Sequence, residues 1–403
     1  MAQEPTELLS ASATTAGFVT PVPSGTAEQA PGRFFRPELD VVRFVAFLLV
    51  FLHHAMPVPP DLARARSAGT LAYLHYTCRW AAGLGLSLFF TLSAYLICEL
   101  LLRERQATGT VRVREFYIRR ILRIWPLYFA GLGLGLAIAL AQGEAADVVT
   151  WTGWAALLLG NWYIVLHGFP LTPMAPLWSI SIEEQFYLIA PCAVKFLSRR
   201  ALAALAIGLI LAANGFVFAL GRAEVPQSEL WANSFIQFQN FAAGILLCLL
   251  LRSRLPKFSA WLRMLFVAAW VVCWSFAISG LDMTYAGTSG PGSSALMSAY
   301  GLTTLGCCFL LLAFLGLDRN ILPGWAVYLG RISYGLYVFH LLGLEIVIAI
   351  LPHHTRFHAV VMPLKGAFAL GITVLFASLS YRFFESPFLR MKKRHEVIES
   401  RPV

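Results

Sequence analysis

The stretch PELDVVRFVAFLLVFLHHAM, residues 37–56, decides the fold class. From Val41 onward it is apolar except for Arg43, His53 and His54. A run of this kind, about 20 residues long, crosses a bilayer as a helix. Working outward, further apolar runs follow at about 80–102, 121–142, 148–167, 178–198, 201–221, 234–251, 260–281, 294–317, 326–351 and 359–384. Composition agrees. The 403 residues are 13% charged and 58% hydrophobic, with a mean hydropathy of +0.68, whereas a soluble domain carries about 25% charge. A soluble enzyme, a disordered protein and a disulfide scaffold are excluded. An all-α polytopic membrane protein remains.

Charge sets the expected orientation. The chain holds 31 Lys+Arg against 21 Asp+Glu, a net +10. The basic residues sit between apolar runs, as cytoplasmic loop charge does, so no nucleic-acid partner is expected. Arg103, Arg105, Arg112, Arg114, Arg119, Arg120 and Arg123 follow the second run, against only Glu104 and Glu115. Further basic clusters lie at Arg199–Arg200, at Arg252, Arg254, Lys257 and Arg263, and at Lys392–Arg394. With all of these inside, the crossings between Arg123 and Arg199 must be even in number. Three runs lie there, and the weakest, 148–167, is interrupted by Gly160-Asn161. The expectation is a bundle of about ten crossings, eleven being the other count. Run 148–167 is then partly re-entrant or interfacial, and both termini are cytoplasmic.

Residues 1–33 read as a disordered tail that lacks signal-peptide character. Residues 34–390 read as the membrane domain and 391–403 as a polar cytoplasmic tail. The seven cysteines form no CxxC pair, so neither a metal site nor a disulfide framework is expected.

Ionisable residues inside apolar runs are costly and mark function by default. Arg43 and His54 are eleven positions apart, which at about 100° and 1.5 Å per residue places them on one helix face roughly 16 Å apart. His53 lies off that face, and Asp40, one turn before Arg43, is placed to orient it. In FYIRRILRIWPLYF, Arg120 and Arg123 share a face, a spacing suited either to phosphate or to a positive-inside anchor. In PLWSISIEEQFYLIAP, Ser179, Glu183 and Tyr187 form one polar stripe, with Glu184 and Gln185 on a second edge. In LGRISYGLYVFHLLGLE, Tyr334, Tyr337 and His340 share one side, and Glu345 has no obvious partner. His353, His354 and His358 lie in an expected external loop.

Several motifs, in order, resemble the acyltransferase 3 family of integral membrane acyltransferases over residues 36–390. They are Arg43…His54 preceded by Leu39-Asp40, GLGLSLFFTLSAYLI (83–97), RRILRIWPLY (119–128), LWSISIEEQFYL with Trp178, GRISYGLYVFH, and YRFFESPF (381–388). Two positions depart from the family pattern: Ser87 where Asp is common and Ala94 where Gly is common. The likeness is to the stand-alone form, without a fused periplasmic hydrolase-like domain.

The resemblance implies transfer of an acyl group, commonly acetyl, from acyl-coenzyme A to a hydroxyl. The acceptor is a surface glycan, a lipid-linked glycan or a glycosylated natural product. It implies no permanently bound cofactor, no metal, and a multi-pass place in the cell's inner (plasma) membrane. In that reading Arg43, Arg120 and Arg123 hold the donor's phosphates. His54 is the general base, or briefly carries the acyl group. Glu183 or Glu184 orients the imidazole or neutralises the arginines. Tyr187, Tyr337 or Ser179 donates to the developing oxyanion. Asp40, Trp178 and His340 support these groups. The competing class is a secondary transporter with a His/Glu proton relay, but no paired interrupted helices in two matching halves are visible.

Overall fold

The computed structural model describes residues 35–59, 61–143, 145–252, 254–284, 292–351 and 358–398. Among them there is no strand. The first half comprises α1 (Pro37–Ala55), α2 (Leu62–Ser67), α3 (Thr70–Gly83), α4 (Gly85–Thr108), α5 (Val113–Gln142), α6 (Ala145–Ala156), α7 (Gly160–His167) and α8 (Trp178–Phe196). The second comprises α9 (Arg199–Arg222), α10 (Gln227–Ala232), α11 (Ser234–Leu251), α12 (Ala260–Ser275), α13 (Ser293–Phe314), α14 (Gly324–Arg331), α15 (Ser333–Ile350), α16 (His358–Leu379) and α17 (Ser386–Lys393).

Eight helical stretches among these residues are long and apolar enough to cross a membrane: α3–α4 as one rod, α5, α9, α11, α12 with its π-turn, α13, α15, and α16 through α17. Helices α1 and α8 are 19 residues each but carry three charged side chains apiece, and they fall outside the eight. The most apolar window of α3–α4 is 78% buried and that of α11 is 67% buried, so these form the centre. Those of α9 and α16–α17 are 22% buried and leave apolar faces outward, as the lipid-facing helices of a bundle do.

Local sequence explains the ends. Helix α1 starts at Pro37, where a missing N–H costs nothing. Glu38 and Asp40 follow in its first turn, at the positive end of the helix dipole. Ser198 and Ser259 cap α9 and α12 by accepting from the Ala201 and Leu262 amides. Arg105 donates to the Val194 and Leu197 carbonyls, which α8 leaves unpaired at its C-terminal end.

Two glycines allow close helix approach. A Cβ on Gly330 would lie 1.8 Å from the Asp40 carbonyl oxygen, so α14 packs backbone-on-backbone against the start of α1. A Cβ on Gly244 would lie 2.3 Å from the Thr91 oxygen and 2.9 Å from the Ala94 Cβ. Where the family commonly has Gly in α4, this chain has Ala94, and the room comes from Gly244 of α11.

Three stretches differ in detail from the sequence reading. Residues 59–79, outside the apolar runs, contain α2 and the first part of α3. Run 148–167 lies in two short helices, α6 and α7, separated at Leu157–Leu159, with Leu158 at φ +61°. A left-handed leucine is disfavoured. Gln185 compensates by donating to the Leu158 carbonyl and to Asn161 Oδ1, each at 3.0 Å. Finally, the described part of the expected polar tail packs on α5. The His395 carbonyl accepts from Arg119 at 2.8 Å, and its ring Nδ1 lies 2.6 Å from Glu115. Residues 1–33 and the imidazoles of His353 and His354 lie outside the described residues.

Candidate active site

Two neighbouring cavities among the described residues are lined by residues expected at the site. The first, of about 230 Å³, lies between α1, α4, α5, α8, α15 and the end of α17. Six basic side chains line it, Arg36, Arg43, Arg119, Arg120, Arg123 and Lys392, against the carboxylates Glu104, Glu183 and Glu396. Most of the cations are paired. Arg36 meets Glu99 at 3.1 Å, Arg43 meets Asp40 at 2.5 Å, Arg119 meets Glu104 at 3.1 Å and Lys392 meets Glu396 at 3.7 Å. Among the described residues Arg120 and Arg123 have no carboxylate within ion-pair distance. Arg120 stacks over the Tyr187 and Phe116 rings at 4.9 and 5.5 Å, and Arg123 donates weakly to the Arg331 carbonyl at 3.4 Å. A partly screened pair of guanidiniums one helical turn apart is chemically an anion site.

The polar stripe of α8 faces this cavity. Glu183 accepts from Tyr187 and from Ser93 of α4. Ser179 and Tyr337 lie 2.8 Å apart, and both donate to the Pro176 carbonyl. Glu184, one residue on, points elsewhere and accepts from Trp125 Nε1 at 3.1 Å. The two adjacent carboxylates therefore serve different helix interfaces.

The second cavity, of about 1300 Å³, is lined by His53, His54, Arg79 and Glu345 together with Trp80, Phe169, Trp178 and Trp231. Both histidines line this cavity, with different contacts. His53 Nδ1 lies 2.9 Å from the Arg79 carbonyl oxygen and touches the Arg79 guanidinium. Arg79 Nε donates in turn to the Met56 carbonyl at 3.0 Å, tying α3 to the end of α1. His54 is exposed into the cavity. Its ring lies 4.9 Å from that of His53 and 5.2 Å from that of His340. Among the described residues neither Glu183 nor Glu184 bonds to His54. The sequence-based role of a glutamate as the imidazole's orienter thus has no contact behind it: Glu183 is bonded by Ser93 and Tyr187, and Glu184 by Trp125 through Oε2 alone.

The two cavities share two lining residues, Leu86 and Tyr337. The arginine cavity and the histidine cavity thus meet inside the bundle. Arg43, Arg120, Arg123, Ser179, Glu183, Tyr187 and Tyr337 gather at the first, and His54, Trp178 and again Tyr337 at the second. Sequence reading passed over Arg79, Ser93, Trp125, Lys392 and Glu396. Arg79 carried one faint signal, a charge set beside Trp80 just before an apolar run. Among the described residues no group of three or more His, Cys, Asp or Glu is arranged to hold a metal.

These features define a class: a multi-pass helical membrane protein with a cavity lined largely by basic side chains beside an imidazole-bearing one. The family model described as an acyltransferase domain, acyltransferase 3, matches residues 36–382, and the chain belongs to that family. A protein of Staphylococcus aureus (strain COL), an O-acetyltransferase by assigned name only, is 25% identical over 358 residues. That alignment covers 82% of this chain and 57% of the relative. The chain thus spans little more than half the length of such relatives. The O-acetyltransferase OatA of Staphylococcus aureus (strain NCTC 8325 / PS 47) is 31% identical over 150 residues, 35% of this chain and 25% of that protein. No solved structure matches.

Proposed function

We propose that this chain transfers an acyl group, acetyl by default, from acyl-coenzyme A to a hydroxyl of a glycan or glycosylated small molecule. The observation that carries this reading is the junction of the two cavities at Leu86 and Tyr337. A phosphate-bearing donor fits the side where Arg120 and Arg123 lack carboxylate partners. A sugar fits the side rich in tryptophan, whose faces suit the apolar faces of pyranose rings. In the proposed topology α1 and α8 join the eight apolar spans, giving ten crossings of the plasma membrane. Both termini and the arginine cavity are then cytoplasmic, as the Arg103–Arg123 charge bias requires.

The chemistry follows from placement. Arg120 and Arg123 hold the donor phosphates, with Arg43 held nearby by Asp40. The thioester reaches the junction beside Tyr337. His54 removes the acceptor's hydroxyl proton as the oxygen attacks the thioester carbon. The carbon–sulfur bond breaks, and the thiolate leaves with the proton returned from His54. Tyr337 is the proposed donor to the oxyanion, turning its hydroxyl from the Pro176 carbonyl while Ser179 keeps its bond to that carbonyl.

The purified full chain with acetyl-CoA should release free thiol. A strain lacking the chain should lose an acetyl mass increment from a surface glycan or secreted glycoside. Binding of acetyl-CoA with neither outcome overturns the reading in favour of a transporter.

A further inference from the structure

His54 needs a partner that fixes its ring and stabilises the imidazolium formed when it takes a proton. Catalytic histidines usually obtain this from a carboxylate. Here Glu183 and Glu184 bond to other groups, Glu345 lines the same cavity as His54 but among the described residues makes no hydrogen bond to it, and His53 is occupied by Arg79. The remaining neighbour is His340 on α15, whose ring centre is 5.2 Å from that of His54.

His340 is 0% exposed. Its Nδ1 lies 2.6 Å from the Tyr337 carbonyl oxygen, one turn back on the same helix. A carbonyl only accepts, so Nδ1 of neutral His340 carries the hydrogen. That assigns Nε2 as a bare lone pair, and among the described residues this atom is buried without a hydrogen-bond partner. A buried acceptor left unpaired is destabilising, so its persistence calls for a reason. The rings of Phe47 and Tyr337, at 6.4 and 5.4 Å, hold the His340 plane in place.

We infer that His340 is the positioning residue for His54. A small turn of the His54 ring brings its N–H that faces away from the acceptor onto Nε2 of His340, to which it is not bonded in the structure. The other His54 nitrogen is thereby left as the base, directed at the acceptor cavity. His340 itself touches neither substrate and takes no proton. It fixes the tautomer of His54 and shares the charge on the imidazolium through one hydrogen bond. Two histidines on different helices then do what a histidine–carboxylate pair does elsewhere. The inference rests on the acyl-transfer reading and adds to it the identity of the orienting group.

The test uses the purified full chain in detergent, acetyl-CoA as donor, and thiol release as the readout. Gln places a side-chain oxygen near the Nε2 position of a histidine, Asn reaches only the Nδ1 position, and Leu offers no acceptor. His340→Leu and His340→Asn should lower kcat by about ten- to a hundredfold, the size of one hydrogen bond to a charged group. The acetyl-CoA KM should stay within about twofold, because the donor cavity is not lined by His340. His340→Gln should recover most of the lost kcat. Each variant's fold is checked by the melting-temperature rise that acetyl-CoA produces. If folded Leu or Asn variants turn over like wild type, or if Asn rescues as well as Gln, the inference is wrong. Should Leu fail to fold, the Gln-against-Asn comparison alone decides. A wild-type chain that releases no thiol would remove the acyl-transfer reading itself, and with it this role.

Discussion

His53 and His54 are neighbours in sequence, and the structure predicts opposite consequences for losing them. His53 bonds to the Arg79 carbonyl and contacts its guanidinium, while Arg79 is only 6% exposed. Replacing His53 by Ala removes a contact to a largely buried charge, worth about 1.5–3 kcal/mol. His54 makes ring contacts and faces the cavity, and such contacts carry about 0.5–1.5 kcal/mol. His54→Ala should therefore leave the melting temperature in detergent near wild type and cut turnover by about 10²–10⁴-fold, the usual weight of a general base. His53→Ala should lower the melting temperature clearly while keeping most of the turnover of the protein that remains folded. Thiol release from acetyl-CoA and a thermal melt on the same preparation measure both. The reverse pattern, a stable but inactive His53→Ala beside an active His54→Ala, would refute the assignment. Equal loss of turnover in both would replace a single base by a coupled pair.

Three further outcomes are expected. Arg120→Ala and Arg123→Ala should each raise the acetyl-CoA KM by about ten- to a hundredfold with smaller effects on kcat, and Lys at either position should rescue only in part, since a point charge lacks the bidentate fork; an unchanged KM leaves them as topology anchors. Gly330→Ala should separate α14 from α1 and disturb the Asp40–Arg43 pair, costing at least the 1–3 kcal/mol typical of overpacking, which a lowered melting temperature together with weakened acetyl-CoA binding would record. A single cysteine placed at Gly109, in a background free of the native cysteines, should resist an impermeant thiol reagent applied from outside the cell, and ready labelling would invert the proposed orientation.

What the sequence made legible was whatever one helix decides by itself. The shared face of Arg43 and His54, the offset of His53 and the stripe Ser179, Glu183 and Tyr187 all follow from a single helical period; in the structure Arg43 and the stripe line the first cavity and both histidines line the second. What was not legible depends on pairing between helices. Ser93 is an ordinary hydroxyl until α8 brings Glu183 against it. Trp125 reads as an interface aromatic until it takes up Glu184. Arg79 sits among His, Tyr, Thr and Cys rather than inside an apolar run, so it raised no alarm as an intramembrane charge. Residues 392–398 look like a solvated tail by composition, yet Lys392, Glu396 and Ile398 line the arginine cavity. No periodicity within a polar segment announces that another element will cover it.

The distribution of charge among the helices has a physical logic that bears on mechanism. A charged side chain at the membrane centre is costly, and a helix with three of them is a poor membrane anchor. The chain places such sets on α1 and α8, each of which contributes side chains to both cavities, while the eight apolar stretches carry the membrane-spanning signal. The charges are then satisfied inside the bundle, Asp40 by Arg43 on the same helix and Glu183 by hydroxyls from α4 and α8. Among the described residues several buried polar atoms have no hydrogen-bond partner, Glu184 Oε1 and His340 Nε2 among them, and Arg120 and Arg123 have no carboxylate within ion-pair distance. Arg120, Arg123 and His340 stand at the two ends of the proposed reaction path, the proposed anion site where the donor enters and the imidazole proposed to steady the base. Substituting them should therefore change kinetic constants more than melting temperatures, whereas substituting the paired groups Asp40, Glu104 or Arg119 should do the opposite.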